Sequence, residues 1–193
     1  MSESALPQPA AAVSIRPAYV AGALAAFGAM VAAIALDDIW LLHFVHVMAG
    51  ILWTGIDLFL GFVLGPIMRR LPFETRRTLI SALIPRTMIL MPTLAIITGT
   101  GGWFLAKRLG YLELGYPEFY WVAAALVIIT ILTVQGLGIL TPTNILVYLE
   151  MQKPNPDGEK IGRWMKTYVR VVAFQGIMQV AIIVVMARFG AGL

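Results

Sequence analysis

Five apolar runs, each long enough to cross a lipid bilayer, follow one another along this chain with only short polar stretches between them. They cover about 18–36, 39–68, 79–105, 119–149 and 164–189. A helix of about 20 apolar residues spans the hydrocarbon core. Inside that core every backbone N–H and C=O must find a partner within the protein, which leaves helices or a closed barrel. Barrel strands alternate apolar and polar residues over about ten positions, and these runs are continuous instead. The sequence therefore predicts an all-α, polytopic transmembrane helical bundle with five spans. Of the 193 residues, 60% are hydrophobic and 12% charged, about half the charge of an ordinary soluble domain.

Residues 1–17 are rich in Ala, Pro and Ser and read as a flexible N-terminal tail. Residues 18–193 form a single transmembrane domain with no repeat of fixed period. The first run is built from small residues, and Gly22, Ala26 and Ala29 fall at spacings that let helices approach closely. Ala33-Ile34-Ala35 before Asp37 resembles a signal-peptidase site, so four spans remain if the first is a cleaved signal. Pro85 and Pro92 in the third run, and Thr141-Pro142-Thr143-Asn144 in the fourth, predict kinks.

Charge orients the bundle. With five spans, Arg16, Arg69, Arg70, Arg76, Arg77, Lys153, Lys160, Arg163 and Lys166 share one side, and Lys107, Arg108 and Arg188 the other. The positive-inside rule then places the N-terminus in the cytoplasm and the C-terminus outside, in a bacterial inner membrane. The charge distribution reports topology; no nucleic-acid partner is expected. Zero cysteines exclude disulfides, thiolate metal sites, Fe–S clusters and covalent c-type haem.

The second run carries the polar residues that most need explaining. Both histidines of the chain, His43 and His46, lie there with Asp57, and ionisable groups persist in hydrocarbon only where they face a cavity, a partner or a cofactor. Positions 43, 46, 50, 54, 57 and 61 recur at steps of three and four, so the helix gathers His, His, Gly, Thr, Asp and Gly on one face. That face is expected to point into the protein. Arg86 and Arg170 reach similar depth to Asp57, and either could neutralise it as an intramembrane ion pair. A proton-relay or quinone-site role for Asp57 is the alternative. Gln135, Asn144, Gln175 and Gln179 complete the intramembrane polar set, either tying helices together or lining a polar cavity for a quinone head group or a porphyrin propionate. Four tryptophans (Trp53, Trp103, Trp121 and Trp164) read as packing or interface anchors.

Imidazole is the usual axial ligand of membrane b-type haem. Residues three apart on one helix cannot occupy both axial positions of a single haem. One histidine would bind iron, with a methionine, a water or another protomer's histidine opposite. Alternatively, His43 and His46 would hold copper or zinc together with Asp37, Asp38 or Met48. A third reading leaves His43 at the interface and His46 in a hydrogen bond between helices.

The segment His46-Val-Met-Ala-Gly50-Ile-Leu-Trp53-Thr-Gly55 resembles the His-x-x-Ala-Gly-x-x-Trp-x-Gly helix of a group of bacterial membrane proteins. That group comprises CopD-like copper-resistance proteins, HemJ-type protoporphyrinogen oxidases and the membrane domain attached to some urate oxidases. The likeness covers about one helix of five. It implies b-haem binding with His46 as the ligand, and electron transfer or porphyrin or quinone redox chemistry. Later helices lack the further histidines such relatives would use. Two other functions remain in view: a non-catalytic membrane subunit or anchor that docks on partner subunits or a second copy, and a copper or small-solute transporter using the His, Asp and Gln stripe.

Overall fold

The computed structural model describes residues 15–192, the side chains of Phe73 and Glu74 excepted. Of the expected tail, residues 1–14 lie outside the described residues. Five long helices are present: α1 (Pro17–Ala35), α2 (Ile39–Arg70), α3 (Phe73–Arg108), α4 (Phe119–Met151) and α5 (Gly158–Gly190). Each is long and apolar enough to cross a membrane, and among the described residues there is no strand. The protein is an all-α membrane protein. Its helices leave large apolar side chains such as Leu24, Phe62, Val127 and Ile177 facing outward, which is stable against lipid and not against water.

α2 and α3 form the centre, with α1 against both and the α4–α5 pair closing the other side. The main core joins four helices through Met30, Ala49, Trp53, Leu94, Ala95, Ile97 and Leu132. A smaller cluster of Ala33, Leu42 and Leu105 packs at one end of the bundle. The α1–α2 turn is held from α3. Arg108 pairs with Asp37 at 2.7 Å and donates to the backbone carbonyls of Ala33 and Ile34 in the last turn of α1. Asp38 caps α2 by accepting from Leu41 N at 3.0 Å. At the other end of the bundle, Glu150 is buried in the α4–α5 turn. It binds Lys153 at 2.8 Å and Lys160 at 3.3 Å, and accepts from the Asp157 amide.

The prolines act in two ways. Pro85 and Pro92 stay inside a continuous α3. Side chains beside them bond the carbonyls of the preceding turn: Arg86 to Ala82, Thr87 to Leu83 and Ile84, Thr93 to Ile89. In α2 and α4 the helix widens instead. A π-helical turn at Phe59–Leu64 ends just before Gly65-Pro66, and another at Gly136–Leu140 ends just before Thr141-Pro142. Stretching the bonds to i→i+5 moves the proline ring off the i−4 carbonyl, and the Thr141 hydroxyl ties the second turn to Gly136 O at 2.8 Å. The expected kink at 141–144 is thus a bulge one turn earlier. Buried positions in α4 step from Gln135 to Leu140, then to Asn144 and Val147, so the five-residue stride falls at the bulge.

Candidate functional site

The buried face of α2 is Leu42, Ala49, Trp53 and Asp57, with His46 half-buried among them. At 100° per residue these positions span roughly 80° of arc. The expected polar face is displaced from it. Thr54 sits on the flank, and His43 and Gly61 are exposed. α2 meets α3 closely at His46, beside Gly101 and Gly102, and at Gly50, where an added Cβ would stand 3.5 Å from Thr98 Cγ2.

His46 meets α3 at the run Thr98-Gly99-Thr100-Gly101-Gly102. Its Nδ1 lies 2.9 Å from the Thr98 carbonyl oxygen. A carbonyl only accepts, so Nδ1 carries the hydrogen, and in the neutral ring Nε2 keeps its lone pair. Gly101 and Gly102 make this approach feasible. A Cβ on Gly101 would stand 3.2 Å from His46 Cβ, and one on Gly102 would stand 2.9 Å from the ring's Cε1. This glycine run of α3 forms the seat of the imidazole.

His43 serves a different surface. It lies in a shallow, open apolar groove with Trp40, Phe44, Val47 and Met48, where Trp40 stacks on Phe44 at 5.8 Å. Of the carboxylates named in the copper or zinc reading, Asp37 pairs with Arg108 and Asp38 caps α2. Among the described residues, no three His, Cys, Asp or Glu side chains gather as a metal site.

Asp57 lies at mid-helix, about 27 Å from the first residue of α2 by the rise of an α-helix. The expected ion pair with Arg86 or Arg170 is not formed. Oδ2 of Asp57 instead accepts from Gln175 Nε2 at 2.6 Å and from Gln179 Nε2 at 2.7 Å. The indole N–H of Trp53 is directed at the same carboxylate. Arg86 turns outward, bonding its own helix and standing 5.6 Å over the Tyr19 ring, while Arg170 is exposed. The i, i+4 spacing of the two glutamines puts both on one face of α5, one turn apart, where both amides reach the same carboxylate oxygen.

A small cavity opens beside this carboxylate, lined among others by Trp53, Thr87, Asn144, Tyr168 and Gln175. Its volume of about 20 Å³ suits one water-sized occupant, far below the roughly 300 Å³ at which small-molecule sites begin. Asn144 and Gln175 are among the residues lining this cavity, which is too small, as it stands, for a quinone head group. Gln135 is buried on α4 and does not line it. Tyr168, which hydrogen-bonds Asn144, was not anticipated; a tyrosine in an apolar run carries no periodic signal of its own.

Comparison of the chain with protein-family models, with curated proteins and with solved structures gives no match.

Proposed function

We propose that this membrane protein is a redox protein of a bacterial inner membrane in which His46 is an axial ligand to b-type haem. The observation that carries the reading is the His46–Thr98 bond. Anchoring one imidazole nitrogen on a backbone carbonyl fixes the tautomer and the ring plane and leaves Nε2 as the donor atom, the arrangement usual for metal-binding histidines. The glycine seat lets the ring sit against α3 backbone, so its orientation is set before any ligand arrives. The imidazole fits the group on this side. A methionine, a water or a histidine of a second copy would supply the second ligand. When bound, haem would supply one-electron chemistry, with quinone or porphyrin as the exchange partner. The resemblance at His46–Gly55 points the same way. The basic residues at the α2–α3 and α4–α5 turns support a cytoplasmic N-terminus and an outside C-terminus.

A second reading, a non-catalytic subunit or anchor, is favoured by the exposed small residues of α1. Gly22 and Ala29 face outward and offer close approach to a partner helix or a second copy.

The visible spectrum of protein expressed with a haem precursor separates the two. The haem reading expects a Soret band and sharp α/β bands on reduction. These bands should be lost in His46→Ala and kept in His43→Ala. A colourless wild-type protein would remove it and leave the subunit reading.

A further inference from the structure

The described carboxylates in ion pairs are Asp37, Glu150 and Glu159. Asp57, at mid-helix in α2, has two amides and the Trp53 indole as its hydrogen-bonding neighbours. Those amides are half used. Gln175 and Gln179 are 2% and 0% exposed, and each gives its N–H to Asp57 while its own Oε1 is buried with no hydrogen-bond partner. Orphaned acceptors of this kind are rare in folded proteins and call for an explanation. Here two of them flank a carboxylate, so the centre holds excess negative charge and excess lone pairs together. One positive species would settle both.

We propose that Asp57, Gln175 and Gln179 form an intramembrane site for a single monovalent cation, sodium or a proton. The oxygens lining the cavity are the Asp57 carboxylate, the Gln175 amide and, opposite them, Asn144, Tyr168 and Thr87; Gln179 does not line it but bonds the same carboxylate and brings a second unpartnered amide oxygen. Hard oxygen donors suit an alkali or alkaline-earth ion and not a soft metal. One carboxylate balances one charge, which selects a monovalent over a divalent ion. The cavity accepts an occupant the size of a water molecule. A proton would satisfy the same centre by converting the carboxylate into an O–H that donates to an amide oxygen. Tyr168 is the one other titratable group among the described cavity-lining residues; α3 contributes Thr87, Met88, Met91, Pro92 and Ala95, and α4 contributes Asn144 and Thr141. The site lies well inward of His46 and does not depend on haem.

The test uses the purified full chain in detergent, melted in sodium, potassium or choline chloride at equal ionic strength. Infrared spectra are recorded on the same samples at neutral pH. Sodium occupancy predicts a melting temperature about 3–5 °C higher in saturating NaCl than in choline chloride, absent in Asp57→Asn. Proton occupancy predicts no sodium preference and a protonated-carboxyl carbonyl band that Asp57→Asn removes. Should Asp57→Asn fail to fold, Gln175→Met removes one amide oxygen at similar bulk, and should weaken the sodium response or shift the carboxyl band. Equal melting in all three salts together with an ionised Asp57 would overturn the proposal.

Discussion

The Gln175→Leu/Gln179→Leu double variant is expected to lose about 3 kcal/mol of stability, the cost of stripping the partners from a buried charged group. Both amide N–H groups go to the same oxygen of Asp57, at 2.6 and 2.7 Å, and all three side chains are buried. Hydrogen bonds between membrane helices are usually worth less, about 0.6 kcal/mol on average, because the separated helices find other partners in lipid. A buried carboxylate left with the Trp53 indole N–H alone has less such escape. Adding Asp57→Leu to the double variant should therefore recover most of the loss, since a wholly apolar replacement leaves nothing to solvate. Unfolding titrations in mixed micelles give both numbers. A triple variant no more stable than the double would show that the network contributes through packing alone.

The second large effect is expected at the α2–α3 crossing. Gly101→Val places new carbon against His46 Cβ and Cα, at 3.2 and 3.5 Å from the first added atom. Those atoms move only with the α2 backbone. The helices must separate, at a cost of about 1–3 kcal/mol typical of overpacked interiors. Gly102→Ala behaves differently. Its Cβ meets the outer edge of the ring at 2.9 Å, which can yield by rotating. Stability should change little while the Nδ1–H bond to Thr98 is lost. Nitrogen NMR of labelled histidine reads this directly, with two imidazoles to assign. An unchanged His46 signal in Gly102→Ala would show that the seat does not orient the ring.

The bundle was legible in the sequence because bilayer thickness acts on run length, which a sequence displays directly. The five runs became five helices, with ends shifted by a few residues where polar turns such as Glu150 with Lys153 and Lys160 continued the helix beyond its apolar part. The site was legible in membership and not in arrangement. Asp57, Gln175, Asn144 and His46 all lie at the interior, but pairing by charge pointed Asp57 at arginine. Arg86 and Arg170 have long side chains that reach outward, whereas the two glutamines on one face of α5 match a carboxylate without bringing a second buried charge. His43 was grouped with the inward face by periodicity, while the reading that set it at the interface and His46 in a hydrogen bond between helices matches the placement found; a pattern of polar residues does not tell which side of a helix packs closest. The contacts of Ala49, Gly101 and Gly102 decide that, and they depend on which helices become neighbours.

The widened turn at Gly136–Leu140 has a consequence for how α4 tolerates changes in length. A π turn is an α-helix with one surplus residue. Removing Gly138 should let the segment close to ordinary α geometry and keep Gln135 and Asn144 aimed at the same core. Pro142 would then crowd a carbonyl, as Pro85 and Pro92 already do within α3. Removing Val127, in regular helix, rotates everything beyond it by about 100° and turns Asn144 and Val147 away from the interior. The Gly138 deletion should accumulate in membranes near wild-type level and the Val127 deletion should not. The chain would thus carry a spare letter in the middle of a membrane span, a place where evolution could change helix length without changing its grammar.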